Sequence, residues 1–283
     1  MPRTFFIVYA GLLGAVVGSF LNVCIYRLPR QCMSILRPGS RCPRCRTPIR
    51  WYQNIPILSY LALGGRCATC KAPISLRYPL VELLTGLIFA AIAMDVLVVP
   101  GPFPTSNEIG RFFANSTLVA MLLATTIIDL DHRIVPDEIS LSGLVIGFVF
   151  SLLLPSMHGT GLISGSEHLG AFLSAALGAG AGAGVVFAAG LLGKLLFKKE
   201  AMGLGDVKLM AMVGAFLGWK FVLLAFLLAC FFGSIFGIVL RLVTRDQYIA
   251  FVPYLALGSA VMLFWGHHVL GFVSRHVLRS IPV

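Results

Sequence analysis

Long apolar runs separated by short polar stretches dominate the sequence. A helix needs about 20 mostly apolar residues to cross the hydrocarbon layer of a bilayer. Runs of this kind cover residues 5–28, 79–99, 112–130, 138–155, 168–197, 207–218, 221–241 and 249–272. The sixth run is short for a span, so it is tilted, partly exposed to water, or continuous with its neighbours. The pattern predicts an all-α polytopic membrane protein with about eight transmembrane helices.

The polar stretches are short except for one. Residues 29–77 are long enough to fold outside the membrane as a small module. The sequence therefore predicts three parts: a first transmembrane helix over 1–28, the module over 29–77, and a transmembrane domain over 78–283.

Composition supports the membrane interpretation. Hydrophobic residues make up 58% of the 283 residues and charged residues only 12%, against about 25% charged residues in soluble domains. The mean hydropathy of +0.92 excludes a water-soluble globule and a disordered chain. The net charge is +11. In a membrane protein such an excess mainly reflects basic residues in cytoplasmic loops, and nucleic-acid binding is the weaker interpretation.

The distribution of lysine and arginine predicts the orientation of the helices. Seventeen of these residues fall on the side of the 29–77 module and five on the other side. Basic residues accumulate in cytoplasmic loops, so the module is predicted to be cytosolic and both termini periplasmic.

Four cysteines in the module form two C-x₂-C pairs. They are Cys42 with Cys45 and Cys67 with Cys70. This spacing is typical of a structural zinc site, because four thiolates satisfy the tetrahedral preference of the ion. A module of about 50 residues has little core, so metal binding would supply folding free energy. Disulfides or free thiols are the alternative.

Six of the eleven acidic residues crowd two junctions on the same predicted cytosolic side: Asp129, Asp131, Asp137, Glu138, Glu200 and Asp206. An ionisable group at membrane depth marks a functional site by default. Two carboxylates in a poorly solvated site would share one proton, giving an acid and a base that activate water.

Asp129 and Asp206 are the predicted pair. Asp129 lies closer to its apolar run than Asp131, and the two side chains point to nearly opposite sides of a helix. Asp206 follows Gly203 and Gly205 in a G-L-G-D stretch that opens an apolar run. The alternative for Asp206 is a helix cap without chemical function.

Lys208 and Glu82 are further candidate supporting residues, and each has two possible roles. Lys208 would either extend its amine to the interface or bias the charge of Asp206. Glu82, near the start of the second predicted span, is either a cap or arginine partner, or a contact to substrate or cofactor.

The chain resembles the type IV prepilin peptidase family, which combines a prepilin leader peptidase with an N-methyltransferase. The motifs that carry the resemblance span most of the chain: G-S-F-L-N-V at 18–23, Y-R-L-P at 26–29, the two C-x₂-C pairs, N-I-P-I-L-S-Y-L-A-L-G-G-R-C at 54–67, R-Y-P-L-V-E at 77–82, I-D-L-D-H-R-I-V-P-D at 128–137 and M-G-L-G-D-V-K-L at 202–209.

The resemblance implies a G-x-G-D membrane aspartyl protease of the bacterial inner membrane, with catalytic aspartates at Asp129 and Asp206. Its substrates would be type IV prepilins and type II secretion pseudopilins, cut after a glycine on the cytosolic face. Its second activity would methylate the new N-terminal residue with S-adenosylmethionine. No sequence signal marks a site for that cofactor.

One departure from the family concerns the last helix. Members often have a glycine before the proline there, whereas this chain has Val252 before Pro253. Two rival functions stay open at the level of sequence. One is a non-enzymatic zinc-containing scaffold of a pilus or secretion assembly. The other is a transporter with a carboxylate proton relay, which would place ionisable groups nearer mid-bilayer.

Overall fold

The computed structural model describes residues 2–30, 34–35, 39–97, 101–158, 166–198, 202–244 and 250–276. Within these ranges the elements are helices and short turns, with no strand. The helices are α1 (Arg3–Arg27), α2 (Leu58–Ala62), α3 (Arg77–Val96), α4 (Ser106–His132), α5 (Asp137–Leu153), α6 (Glu167–Phe197), α7 (Leu204–Thr244) and α8 (Val252–His276).

The all-α prediction is confirmed, but the count of eight spans is not. Six helices of the described ranges are long and apolar enough to cross a membrane: α1, α3, α4, α6, α7 and α8. The sixth and seventh predicted runs are two helical segments of α7 that meet at a kink at Gly218, whose φ of 78° and ψ of 169° are not helical. Glycine adopts this backbone conformation at little cost. The fourth predicted run corresponds to α5, which has only 17 residues and is not among the six candidate spans.

The chain divides into two compact units, Met1–Ser116 and Thr117–Val283. In the first unit α1 packs against α3, and the Asn22 side-chain amide donates to the carbonyl oxygen of Tyr78 at 3.1 Å. Edge-to-face contacts join Phe112 to Phe6 and Phe89, with ring centroids 5.2 and 6.0 Å apart. Aromatic packing of this kind holds helices together where water is absent.

Helix α4 begins six residues before the predicted third span. The Thr105 hydroxyl accepts from the backbone N–H of Glu108, and the Glu108 carboxylate accepts from the backbone N–H of Thr105. This reciprocal arrangement is a capping box, which satisfies donors left open at a helix start. The helix therefore includes residues 106–111, which the hydropathy pattern does not assign to the span.

In the second unit α6 packs against α7, and α5 and α8 also contact α7. Gly178 and Gly182 lie directly against the backbone of Gly214 and Met210, where no side chain would fit. Small residues four apart allow two helices to pack this closely. Leu209, Met210, Met212 and Val213, fully buried in the first half of α7, form much of the core.

Candidate active site and candidate metal centre

Asp129 lies in the last turn of α4 and is 6% exposed. Its Oδ2 accepts a hydrogen bond from the backbone N–H of Val252 at 3.2 Å. Val252 is the first residue of α8, and the N–H groups at a helix start have no partner within their own helix. The start of α8 therefore holds one oxygen of the Asp129 carboxylate in a fixed position.

Asp206 lies in the first turn of α7. Its Oδ2 accepts from the backbone N–H of Gly203 at 3.1 Å, and its own N–H donates to the carbonyl of Gly203 at 3.1 Å. The side chain thus folds back over the helix start, as a capping residue does. The backbone of this turn thus binds one of the two carboxylate oxygens of Asp206.

The fold brings the segments that carry these two aspartates together. Val135, six residues after Asp129, packs against Gly205, the neighbour of Asp206, although 77 residues separate the aspartates in the sequence. The C-terminal end of α4 and the N-terminal end of α7 supply one carboxylate each. By contrast Asp131 is exposed whereas Asp129 is buried, in keeping with their positions two residues apart on a helix.

The two glycines before Asp206 differ in their surroundings. A Cβ on Gly205 would lie 2.8 Å from the Cβ of Val135, whereas a Cβ on Gly203 would meet nothing closer than 3.8 Å. Gly205 therefore allows the segment after α4 to approach the start of α7. A larger residue there would push Asp206 away from Asp129.

An ion pair joins α5 and α7 beside the aspartates. The Lys208 Nζ lies 2.8 Å from both carboxylate oxygens of Asp137, and both side chains are partly exposed. Glu138 is exposed in the same turn of α5, while Glu200 lies outside the described residues. Sequence reasoning did not foresee this pair, because 71 residues separate its partners.

Glu82 belongs to the first unit and is buried in α3. Its Oε2 accepts from the backbone N–H of Ile57 at 2.8 Å. Ile57 directly precedes α2, so the carboxylate of Glu82 tethers the start of that short helix to α3. The geometry is that of a buried carboxylate with a backbone donor.

The four cysteines of the two C-x₂-C pairs converge on one point. Their sulfur atoms all lie within 4.8 Å of one another, with Cys42 to Cys70 at 3.8 Å and Cys45 to Cys67 at 4.0 Å. Four thiolates bound tetrahedrally at about 2.3 Å from a zinc ion would be about 3.8 Å apart. The donor set and its spacing therefore fit a tetrahedral metal ion.

Each cysteine pair lies in the same backbone turn. The N–H of Arg46 donates to Cys42 O and that of Lys71 to Cys67 O, at 2.9 and 3.0 Å. Arg46 and Lys71 both have φ 57°. The underlying repeat, R-C-x-x-C-[R/K]-x-P-I at 41–49 and 66–74, is visible in the sequence. Our sequence analysis missed it, because it considered only the cysteine spacing.

One of these thiols is favoured as a thiolate. A hydrogen bond with the Thr47 side chain lowers the pKa of Cys45 to about 6. The thiolate is the form that binds a metal. Burial and the neighbouring thiols raise the pKa of Cys70 in the same cluster to about 11, so the support for a metal site comes from the spacing of the four sulfur atoms.

These features define a class: a polytopic α-helical membrane protein with one aspartate at the end of α4, another at the start of α7, and four cysteines that could hold a metal ion. Residues 12–96 match the Bacterial Peptidase A24 N-terminal domain, and residues 116–238 match the Type IV leader peptidase family. The two matches fall on either side of the boundary between the compact units. The chain belongs to the type IV leader peptidase family.

Several relatives carry the name prepilin leader peptidase/N-methyltransferase. The protein of Aeromonas salmonicida (strain A449) is 38% identical over 94% of this chain and 93% of its own length. That of Pseudomonas aeruginosa is 36% identical over 93% and 92%. That of Myxococcus xanthus is 41% identical over 84% of this chain, which spans 64% of that longer relative. No solved structure matches the chain.

Proposed function

We propose that the chain is a prepilin leader peptidase and N-methyltransferase. It cleaves the short basic leader of type IV prepilins and type II secretion pseudopilins after a glycine. It then methylates the new N-terminal residue. Membership of the family and the shared name of relatives that align over more than nine-tenths of both chains support this function.

Asp129 and Asp206 form the catalytic pair in this proposal. Facing carboxylates in a partly dry site do not both ionise easily, so the pair holds one proton between them. The charged member takes a proton from water, whose oxygen attacks the peptide carbonyl. The protonated member gives its proton to the leaving nitrogen as the C–N bond breaks. The contact of Val135 with Gly205, which brings the end of α4 to the start of α7, is the observation that carries this assignment.

The position of the pair suits a substrate that is itself a membrane helix. Asp129 is in the last turn of α4 and Asp206 in the first turn of α7, so both lie at helix ends where water has access. The excess of basic residues on that side assigns it to the cytosol. The apolar segment of the prepilin would stay in the bilayer while its leader reaches the aspartates.

Acidic residues beside the pair would recognise the basic leader. Asp131 and Glu138 are exposed at the ends of α4 and α5. Asp137 shares this rim, but Lys208 already compensates its charge. We therefore assign Glu138 a larger share of leader attraction than Asp137, with Asp131 as the second acidic contact.

The cysteine centre holds zinc in this proposal. Cys42, Cys45, Cys67 and Cys70 would complete its coordination, so the ion is structural and takes no part in cleavage. S-adenosylmethionine would supply the methyl group. No residue of the described ranges is assigned to this cofactor.

Mass spectrometry of a prepilin incubated with the purified chain in lipid vesicles tests the function. We expect loss of the leader at the glycine and, with S-adenosylmethionine present, a gain of one methyl group. An intact substrate that a known relative does cleave under the same conditions would instead favour the non-enzymatic scaffold.

A further inference from the structure

An apolar edge stands out on the described part of the 29–77 module. Trp51 is 81% exposed, Leu58 64% and Leu61 68%. Trp51 lies in the 3₁₀ turn Trp51–Asn54, which packs against α2, and Leu58 and Leu61 lie three residues apart on one face of α2. We call these three residues the apolar edge. Large side chains grouped in this way mark a surface that contacts something apolar.

The tether between Ile57 and Glu82 fixes the depth of the apolar edge. Glu82 lies five residues into α3, which begins at Arg77, and it binds the backbone N–H of Ile57 at 2.8 Å. At 1.5 Å per residue, the Cα atom of Glu82 lies about 7 Å along the axis of α3, and its side chain points back toward the start of that helix. Helix α2 therefore begins beside the first two turns of α3.

That depth corresponds to the boundary between lipid headgroups and acyl chains, where amphipathic segments bury their apolar side by about 5–10 Å. Tryptophan is enriched at the same level. The contact between Asn22 and Tyr78 places the end of α1 beside the start of α3. The segment between these helices thus leaves and re-enters the membrane at one place.

The positive charge of the module favours a membrane surface that contains anionic lipids. Residues 27–77 contain ten lysines and arginines and no acidic residue. Arg50, next to Trp51, is exposed and its guanidinium lies 6.0 Å from the ring centre of Tyr52. Basic segments next to membrane helices attract anionic headgroups.

We propose that the apolar edge is a membrane anchor of the module. Trp51, Leu58 and Leu61 insert into the headgroup boundary of the adjacent leaflet, and the surrounding arginines pair with anionic phospholipid. The anchor fixes the module against the bilayer independently of the proposed peptidase chemistry.

Quenching of tryptophan fluorescence by brominated lipid tests the anchor on the full-length chain. The chain contains three tryptophans, so Trp219→Phe with Trp265→Phe leaves Trp51 as the reporter. In vesicles that contain phosphatidylglycerol, we expect bromine near the headgroup end of the acyl chains to remove about half of the Trp51 emission. Leu61→Asp should restore most of it, while Ser75→Asp, at an exposed residue outside the cysteine turns, should not.

Each other result contradicts the proposal. Trp51 emission at the wavelength of free tryptophan and unaffected by bromine would overturn the anchor. Equal quenching in Leu61→Asp would show that α2 does not insert. Equal quenching in pure phosphatidylcholine would remove the preference for anionic lipid. If Trp51 is shielded from water only when a prepilin is added, the apolar edge binds a protein partner instead. Metal content confirms that each variant keeps its fold.

Discussion

Asp129 accepts a hydrogen bond from the backbone N–H of Val252, a residue 123 positions further along the chain. The contact joins the end of α4 to the start of α8, and both residues are buried. The donor belongs to the backbone, so it survives most changes of the side chain at 252. The valine at position 252, where the family resemblance implies glycine, is therefore compatible with this contact.

Replacement of Val252 by proline tests the contact without breaking the helix. Proline lacks an N–H but is tolerated at the first position of a helix. Since a hydrogen bond to a charged group contributes about 1.5–3 kcal/mol, we expect kcat for prepilin cleavage to fall by roughly 10- to 100-fold. Val252→Ala keeps the N–H and serves as the control. Equal losses in both variants would show that the side chain matters and the N–H does not.

The close approach of Gly205 to Val135 predicts opposite outcomes for the two glycines of the G-L-G-D stretch. Gly205→Ala forces a contact at 2.8 Å, so we expect a loss of stability of about 1–3 kcal/mol together with reduced cleavage. Gly203→Ala has room and should resemble the wild type. Adding Val135→Ala to Gly205→Ala should recover activity. If Val135→Ala does not restore activity, the loss in Gly205→Ala does not arise from the contact with Val135. Thermal unfolding in detergent and cleavage rate measure the two effects.

The ion pair between Lys208 and Asp137 predicts unequal effects of the acidic residues beside the site. Glu138→Gln should raise KM for a basic leader roughly two- to fivefold at low salt, because it removes an exposed charge that salt screens. Asp137→Asn should change KM less, since its charge is already paired. The effect of Glu138→Gln should vanish at high salt and with a leader that lacks lysine and arginine. Identical KM values for the wild type, Glu138→Gln and Asp137→Asn would refute recognition of the leader by these acidic residues.

The four-cysteine geometry predicts one zinc ion per chain. Cys45→Ser should lose the metal and lower the stability of the module, because ligand binding supplies part of its folding free energy. Cys230→Ser, in α7, should keep the full metal content and is the matched control. Elemental analysis of purified protein measures both. A wild-type chain purified without chelators that contains no zinc would contradict the assignment.

The apolar runs and the two cysteine pairs could be recognised from the sequence, because each depends on residues close together along the chain. The number of spans could not, since α5 has only 17 residues and the sixth and seventh runs meet at a kink within α7 at Gly218. The contacts of Asp129 with Val252 and of Lys208 with Asp137 arise from packing between distant helices. The sequence placed the two aspartates at helix ends, but their proximity depends on those contacts.

The start of α4 illustrates a signal that was present and overlooked. Thr105 and Glu108 form a recognisable capping box. The hydropathy pattern nevertheless placed the start of this span at residue 112. The acidic pattern at 129, 131, 137 and 138 was visible too. Which of these residues is buried and which is paired became clear only from the structure.

Cleavage of a prepilin in lipid by Asp129→Asn and Asp206→Asn tests the central claim most directly. Asparagine keeps a side-chain oxygen that can accept from Val252 or Gly203, so each substitution removes the acid–base group and spares the structural contact. We predict that both variants lose at least about a thousandfold in rate, while Asp131→Asn retains cleavage and all three stay folded with metal bound. Cleavage at the wild-type rate by either Asp129→Asn or Asp206→Asn would contradict the catalytic pair.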